Sequence, residues 1–286
     1  MLARNLAAII ESSLYSPKGR LGRGVRRLIG PALRRVRLLR MRSGFSPSPL
    51  TIVSGADSTH FESLCQLLRS LYRFEFRSRF VVVDLGLLPA QRALLHERFP
   101  ALEVRAFDYT RFPAYLSVKV NQGEYAWKPV IVADILEESR GSILWLDAGC
   151  VITEPLFQIR WILRRFGFYS PASTGTIGRW THPKTLAWFG VEAGLLDKKQ
   201  RAACVVGASC LTPEARRIIG EWKECALQRD CIAPPGSDRT NHRQDQAVLS
   251  ILVEQSALQS SLTREWHGVE AHRDVDRPTA SDSIPS

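Results

Sequence analysis

The sequence predicts an α/β fold: a single, mostly parallel sheet flanked by helices, with a basic N-terminal leader. Two apolar runs, 80–83 and 143–146, carry no charge, as expected of parallel strands that are covered on both faces. Each run leads into an aspartate, Asp84 or Asp147, that a glycine follows two residues later. Segments with a helical period alternate with such runs, and this alternation is typical of βαβ units.

The first half of the folded part alternates strands with helices. Apolar residues recur at helical intervals over 61–71, after Thr59 and Glu62 at the spacing of a capping box, and Pro89 suits the first turn of another helix. The segment 108–123 is aromatic and polar without a period, so we predict a loop that covers a site. The predicted elements are strands at 50–53, 79–86, 102–107 and 142–147 and helices at 61–71, 89–99 and 130–138.

The second half has weaker signals. An apolar stretch with three arginines at 157–166 predicts a helix across the sheet, and apolar residues at helical spacing predict another at 213–227. The segment 173–183, rich in Ser, Thr and Gly, predicts a mobile flap, and 231–241 predicts a long turn-rich loop. The other predicted elements are strands at 167–171 and 202–211 and a helix at 247–253.

The formal charge of +11 belongs to the leader. Residues 1–49 carry eleven basic residues and one acidic residue, so they account for +10 of it. Prolines and serines at 43–49 predict a linker. We therefore divide the chain into a leader and linker at 1–49, a folded domain at 50–273 and a disordered tail at 274–286.

The leader has three candidate interpretations, two of which involve a partner. Its arginines are interleaved with apolar residues such as Leu28, Leu33 and Val36, which suits an anionic membrane surface over residues 1–42. A solvated tail is an equal alternative, because glycines and Pro31 interrupt any helix. Nucleic acid ranks third, since no aromatic platform accompanies the arginines. With no long apolar run and no signal-peptide pattern, we expect a cytoplasmic protein, peripheral on the inner face of the membrane if the leader binds lipid.

The six cysteines show no CxxC pair and no paired histidine spacing, so we do not expect zinc. Without a secretory signal, we expect reduced thiols that act as small hydrophobic residues. Cys225 and Cys231 could bridge a short loop if the compartment were oxidising.

Acids at the ends of three predicted strands indicate a ligand site. Asp57, Asp84 and Asp147 end the strands, and Lys128 lies shortly before the third. Open α/β sheets bind ligands outside the carboxyl ends of their strands. Carboxylates there can hold a ribose or a divalent metal, and a lysine can meet a phosphate. The alternative is that each aspartate only closes a turn. The candidate nucleotide-binding residues are Ser54, Gly55, Asp84 and Lys128.

A second polar cluster precedes the last predicted helix. His242, Arg243, Gln244, Asp245 and Gln246 stand together, whereas a structural cap needs only one of them. The cluster therefore predicts a functional loop, and the alternative is that Asp245 caps the helix. No Walker lysine loop or GxGxxG turn is present, which disfavours kinases and Rossmann dehydrogenases.

Three segments carry a family resemblance: Tyr125–Pro129, Ile143–Gly149 and Arg243–Gln246. They resemble nucleotide-sugar glycosyltransferases of the GT-A fold, in particular branches with WKP, LWLDAG and DQ. The resemblance spans roughly residues 50–272. It implies one Rossmann-like sheet domain that binds a UDP- or GDP-sugar, and an acid-x-acid motif that holds Mn²⁺ or Mg²⁺ against the diphosphate.

The resemblance also assigns roles. Asp147 takes the metal position, with His272 or His267 as a late histidine ligand, and Lys128 takes the basic position near the phosphates. Asp245 takes a position on the acceptor side, where an inverting enzyme needs a general base. The candidate catalytic residues are Asp147 and Asp245, and the candidate acceptor-side residues are His242, Arg243 and Gln246.

One residue departs from the family pattern, because Gly149 stands where the motif has its second acid. The departure predicts weaker metal binding and leaves open a metal-independent enzyme, in which Lys128 and arginines neutralise the diphosphate. It also favours the alternative to glycosyl transfer, a non-catalytic degenerate transferase that docks on a membrane or a partner. A nucleotidyltransferase on a similar sheet is a third alternative. The sequence does not identify the donor sugar or the acceptor.

Overall fold

The computed structural model describes residues 49–258 and 265–275 of the chain. The predictions for the leader before residue 49 and for the tail after residue 275 lie outside these residues. The described strands are β1 (Leu50–Asp57), β2 (Arg79–Gly86), β3 (Glu103–Ala106), β4 (Ser142–Leu146), β5 (Val151–Ile152), β6 (Phe168–Tyr169), β7 (Ala172–Thr176), β8 (Lys199–Arg201), β9 (Val205–Ser209) and β10 (Val269–Glu270).

The helices surround the strands in chain order. They are α1 (Phe61–Phe74), α2 (Pro89–Arg98), α3 (Trp127–Glu138), α4 (Phe157–Phe166), α5 (Ile177–Trp180), α6 (Pro183–Trp188), α7 (Pro213–Ala226), α8 (Arg229–Ile232) and α9 (Gln244–Glu254). None of the described helices is long and apolar enough to cross a membrane.

Six of the described strands form one sheet in the order β3-β2-β1-β4-β9-β6. The pairs β3-β2, β2-β1 and β1-β4 are parallel, and β9 is antiparallel to both of its neighbours, β4 and β6. Only β9 therefore runs against the other strands of this sheet. The prediction of a mostly parallel sheet flanked by helices is confirmed.

The sheet is apolar on both faces because helices cover both. Ile143 and Trp145 of β4 pack in the layer of α3, α7 and α9, whereas Leu144 and Leu146 pack in the layer of α1, α2 and α4. Alternate side chains of a strand point to opposite faces, so a strand between two helical layers is apolar at every position. This arrangement explains the uncharged runs in the sequence.

The sheet has a topological switch point between β1 and β4. The chain first builds outward from β1 through α1, β2 and α2 to β3, and then returns through α3 to place β4 on the other side of β1. Connections on the two sides of such a point leave in opposite directions, which opens a crevice beyond the carboxyl ends of the strands. Asp57 ends β1 and Asp147 follows β4, so both lie at this crevice.

Two local details differ from the sequence-based expectations. The segment 173–183, predicted as a mobile flap, contains a strand and a helix, because Ala172–Thr176 pairs with Lys199–Arg201 and α5 follows directly. A strand partner more than twenty residues away supplies hydrogen bonds that local composition does not reveal. The capping box at Thr59 is also absent, since Asp57 accepts the backbone N–H groups of the turn before α1.

The cysteines differ from expectation at one pair. Cys225, near the end of α7, forms a disulfide with Cys231 of α8, whereas Cys65, Cys150, Cys204 and Cys210 are free thiols. The expectation of reduced cysteines is wrong for Cys225 and Cys231. The short turn between the two helices brings their Cα atoms to 5.3 Å, within the range that a disulfide needs.

A buried ion pair ties β8 to α9, the helix that carries Asp245. Arg201 Nε donates a hydrogen bond of 3.1 Å to Glu254 Oε1, and both side chains are buried. We expect Arg201→Met to lower the free energy of unfolding by about 3–5 kcal/mol, because it leaves the Glu254 carboxylate buried without its cation. Urea unfolding followed by circular dichroism measures the change.

Arg217→Met is the matched control, because the partly exposed Arg217 pairs with Glu214 and Glu221 on the surface of α7. We expect this variant to lower the free energy of unfolding by less than about 1 kcal/mol. Equal losses for the two variants would contradict this account.

Candidate active site

A cavity of about 410 Å³ lies at the switch point. Its walls come from the ends of β1 and β4, the first turns of α3 and α9, the turn before α3 and the C-terminal residues near 272. The charged side chains on the walls are Asp57, His60, Lys128, Asp147, Arg239, Arg243, Asp245, His272 and Asp274.

The floor of the cavity is a buried ion triad of Lys128, Asp147 and Asp245. Lys128 Nζ lies 3.0 Å from Asp147 Oδ1 and 2.9 Å from Asp245 Oδ2. The Lys128 side chain is 3% exposed and that of Asp245 is 7%, whereas Asp147 is 36% exposed and faces the cavity. One ammonium group therefore holds two carboxylates from different elements, and the triad has a net charge of −1.

Local sequence places each member of the triad. Lys128 lies in the first turn of α3 beside Pro129, Asp147 directly follows the apolar β4, and Asp245 lies in the first turn of α9. Arg243 is the N-cap residue of α9, and it makes no side-chain cap hydrogen bond. Asp245 is inside the helix, so the alternative that it is the cap is wrong.

The pKa values of the triad reflect burial and pairing. Burial by itself lowers the pKa of Lys128, but the Asp147 and Asp245 carboxylates outweigh it and raise that pKa above its usual range. Burial raises the pKa of Asp245, and Lys128 opposes that effect only in part. Lys128 therefore stays charged, whereas Asp245 takes up a proton more readily than an ordinary aspartate.

Aromatic rings enclose the triad. The Lys128 ammonium lies 5.8 Å from the ring centre of Tyr125, 6.0 Å from that of Trp127 and 5.9 Å from that of Trp145. Ring faces attract a desolvated cation, so these contacts help to keep the ammonium buried. Trp145 Nε1 also donates a hydrogen bond of 2.6 Å to Asp147 Oδ1. A carboxylate can accept about four hydrogen bonds, so Asp147 can still bind a ligand from the cavity.

The turn before α3 is strained. Residues 121–125 all have positive φ, between 45° and 66°, and four of the five are not glycine. Left-handed backbone costs about 1–2 kcal/mol for each such residue, and strain of this kind clusters at functional sites. Trp127 Nε1 donates to the Gln122 carbonyl, which holds the turn against α3.

The strained turn carries a hydrogen-bonded group of polar side chains, Gln122 and Tyr125, at the wall of the cavity. Tyr125 Oη donates to Gln122 Oε1 at 2.6 Å, and Arg239 donates to Gln122 Oε1 at 2.9 Å and to Tyr125 Oη at 2.8 Å. Arg243 lies nearby, with its guanidinium 4.3 Å from the ring centre of Trp180. Gln122 and Val118 line the cavity, so the predicted loop at 108–123 does border the site.

Asp57 and His60 form a further ion pair on the wall. His60 Nδ1 lies 2.8 Å from Asp57 Oδ1. The hydrogen bond to His60 lowers the pKa of Asp57 well below its usual range, and Asp57 in turn raises the pKa of His60. This wall therefore carries a carboxylate that is ionised at all ordinary pH values.

The structure brings most of the predicted site residues together. Those that line the cavity are Gly55, Lys128, Asp147, Arg243, Asp245, Gln246 and His272. The Lys128 ammonium is engaged by two carboxylates, so its predicted contact with phosphate stays a prediction. His267 is not among the lining residues, and its ring lies 6.0 Å from that of Tyr169.

Three predicted residues do not line the cavity. Asp84 accepts hydrogen bonds from the backbone N–H groups of Gly86 and Leu87, which is the turn-closing alternative. Ser54 is buried in β1. His242 is buried, with Nε2 2.9 Å from the Ile232 carbonyl, and burial lowers its pKa to about 4. His242 is therefore a buried structural residue and does not line the cavity.

Several lining residues were not predicted. Gln122 and Arg239 lie in segments that were predicted only as loops, 108–123 and 231–241, and His60 lies between the two residues of the predicted capping box, so none of the three was singled out as a site residue. Asp274 belongs to the segment that was expected to be disordered. In the structure, Asp274 lines the cavity, and the next residue, Val275, donates a backbone hydrogen bond to Ser63 Oγ.

Comparisons with known proteins give a family model and several solved structures. Residues 37–133, about a third of the chain, match a family described as a protein of unknown function, DUF1647. No curated protein matches the sequence. The coverage of the family model falls short of the whole domain, and it leaves out Asp147 and Asp245.

Three of the solved structures that resemble this chain are described as a galactosyltransferase, a core-mannan synthase and a bifunctional glycosyltransferase. The galactosyltransferase LgtC, in complex with donor and acceptor sugar analogues, is 17% identical, with a TM-score of 0.48 over 71% of this chain and 70% of its own. Core-mannan synthase A from Aspergillus fumigatus, in an Mn/GDP form, is 6% identical, with a TM-score of 0.48 over 77% and 73%. The bifunctional glycosyltransferase WbbM is 12% identical, with a TM-score of 0.47 over 77% of this chain and 39% of its own.

Proposed function

We propose that this protein transfers a glycosyl group from a nucleoside-diphosphate sugar to an acceptor. The observation that carries the proposal is the Lys128, Asp147 and Asp245 triad at the floor of a switch-point cavity. Open α/β sheets bind nucleotides at this place. The triad presents one partly exposed carboxylate, Asp147, and one buried carboxylate of raised pKa, Asp245. Two acids in different environments can take different roles in one reaction.

Charge balance favours a divalent cation with the donor. The triad has a net charge of −1, and Asp274 adds negative charge to the walls, whereas Asp57 is paired with His60. A diphosphate alone would be repelled by this floor, whereas a cation between the floor and the phosphates removes the repulsion. Arg239 and Arg243 line the same cavity and supply further positive charge. Asp147 would hold such a Mn²⁺ or Mg²⁺, and the bound cation would supply positive charge that stabilises the leaving group.

The residues present fit such a cation. No three His, Cys, Asp or Glu side chains are clustered for a metal anywhere in the described residues. Magnesium-type sites ordinarily use only one or two protein carboxylates and take their remaining ligands from phosphates and water. Asp147 is a hard oxygen donor, and His272 lines the same cavity.

Asp245 is the proposed general base. It faces the cavity from the first turn of α9, and burial has raised its pKa toward the range in which a base works well. It would accept the proton of the acceptor hydroxyl. Lys128 is a positioning residue in this proposal, because its ammonium group fixes both carboxylates.

The other class of function is donor binding without turnover, and Gly149 is the feature that favours it. Calorimetric titration with UDP and GDP in the presence of Mn²⁺, together with an assay of donor hydrolysis, separates the two. Binding without hydrolysis or transfer would support the binding protein. Absence of binding to any nucleoside diphosphate would refute the proposed function.

We expect Asp147→Asn to reduce transfer or donor hydrolysis by at least about 100-fold, because the carboxylate that faces the donor loses its charge. The melting temperature should fall by no more than a few degrees, since Lys128 keeps Asp245 as its partner. Asp108→Asn is the control, because Asp108 is exposed and only caps a turn. Retained turnover in Asp147→Asn would contradict the assignment of Asp147 as a catalytic residue.

Lys128→Met should behave differently from Asp147→Asn. It leaves two carboxylates at the floor without a cation, so we expect a loss of about 3–5 kcal/mol in the free energy of unfolding. Adding Asp245→Asn to Lys128→Met removes the buried negative charge and should recover part of this loss. Urea unfolding of the single and double variants measures the coupling between Lys128 and Asp245. If the effects of the two substitutions on the free energy of unfolding simply add, the triad is contradicted.

The pH dependence follows from the raised pKa of Asp245. A general base acts only when deprotonated, so kcat/KM should fall as the pH is lowered through that pKa, above the ordinary aspartate value of 3.8. Steady-state rates from about pH 4 to 8 measure this limb. A profile that stays flat to the acid end of the range would exclude Asp245 as the base.

A further inference from the structure

Two turns meet beside the triad, and each carries a cysteine that lines the cavity. The turn at 147–150 follows β4, and the turn at 202–205 leads into β9. Asp147 N donates to the Cys204 carbonyl at 2.9 Å, which continues the antiparallel pairing of β4 with β9. The sheet therefore holds the two turns against each other, and both Cys150 and Cys204 border the proposed donor site.

The two thiols are in contact with each other. Cys150 Sγ donates to the Cys204 carbonyl at 3.6 Å, so the Cys150 sulfur lies directly against the main chain of Cys204. A hydrogen bond between the two side chains, and then burial, raise the pKa of Cys150. Cys150 is 1% exposed, whereas Cys204 is partly exposed at the cavity wall. One buried and one accessible thiol therefore form a pair within the site.

The remaining cysteines do not share this position. Cys65 and Cys210 are free thiols that do not line the cavity, and Cys225 is bonded to Cys231, with neither of them on its walls. Within the described residues, Cys150 and Cys204 are therefore the free thiols placed to react with a molecule that enters the cavity.

Both turns also contact the triad. The first turn begins at Asp147 itself, and the second accepts a hydrogen bond of 3.5 Å at the Ala203 carbonyl from Lys128 Nζ. A disulfide holds its sulfur atoms about 2.05 Å apart, much closer than two unbonded thiols approach. A bond between Cys150 and Cys204 would therefore draw the two turns together and shift the Asp147 carboxylate relative to Lys128.

We propose that Cys150 and Cys204 are a redox-active dithiol, which thiol–disulfide exchange with a small disulfide such as oxidised glutathione converts into a bond that weakens donor binding. The accessible Cys204 attacks first as a thiolate and forms a mixed disulfide, which releases one glutathione thiolate. Cys150 then gives up its proton and attacks the Cys204 sulfur, which releases the second. The protein loses two hydrogen atoms, and with them two electrons, and the oxidant becomes two molecules of reduced glutathione.

Peptide mapping of the full-length protein tests whether the bond forms. After incubation with oxidised glutathione, the remaining free thiols are alkylated, and the tryptic peptides are identified by mass spectrometry. We expect two peptides joined through Cys150 and Cys204, which dithiothreitol separates, while Cys65 and Cys210 are alkylated. This measurement does not depend on the proposed function.

Two single variants assign the link, because Cys204 and Cys210 lie on the same tryptic peptide, 202–216. Cys210→Ser is the matched control and should keep the link to Cys150, whereas Cys204→Ser should lose it. A link through Cys210, or glutathione that stays attached to Cys204 without the second step, would overturn the proposal. An unchanged pair of thiols at 150 and 204 would overturn it as well.

Calorimetric titration with UDP or GDP in the presence of Mn²⁺ measures the effect of the bond on the cavity, and this part rests on the proposed function. We expect the oxidised protein to bind at least about tenfold more weakly than the reduced protein, because small displacements in a site have large costs. Cys204→Ser, taken through the same treatments, should show no difference. It keeps the Cys225–Cys231 disulfide, so any effect of reducing that bridge appears in both proteins.

The outcomes separate this inference from the proposed function. Equal nucleotide affinity in the linked and the reduced protein would overturn the effect of the bond on the donor site and leave the proposed function standing. Absence of nucleotide binding in both states would refute the proposed function, whereas a Cys150–Cys204 link in the peptide map would still support the dithiol.

Discussion

The site depends on the burial of one lysine ammonium between two carboxylates. A charge as buried as that of Lys128 is stable only if opposite charges and good geometry replace the water that it loses. Asp147 and Asp245 do so at 3.0 and 2.9 Å, and three aromatic rings surround the same ammonium. This requirement fixes the start of α3, the end of β4 and the start of α9 relative to one another.

The triad also sets the electrostatic character of the cavity. Because one cation holds two acids, the floor remains negative. Two further cations, Arg239 and Arg243, line the same cavity. The strained turn at 121–125 borders the same cavity. Backbone strain of this kind clusters at functional sites, which indicates that the turn holds Gln122 and Tyr125 in position for a ligand.

The architecture of the sheet was predictable because its signals are local. An apolar run with no charge indicates a strand covered on both faces, and a proline at the start of a periodic segment indicates a helix. The strand at 172–176 was not predicted because its partner lies far away in the chain, at 199–201. The Cys225–Cys231 bridge likewise depends on how α7 and α8 turn toward each other.

For this protein, the sequence alone determined the sheet, its flanking helices and the two polar segments around Asp147 and Asp245. It also determined the resemblance to GT-A transferases, because that likeness lies in short contiguous motifs. Only the tertiary structure decided that Lys128 faces two carboxylates, that Asp84 and His242 lie away from the cavity, and that Asp274 lies against Gly149. The reason is that a side chain's charge state and partners depend on residues far away in the chain, and no local pattern records which of them fold together.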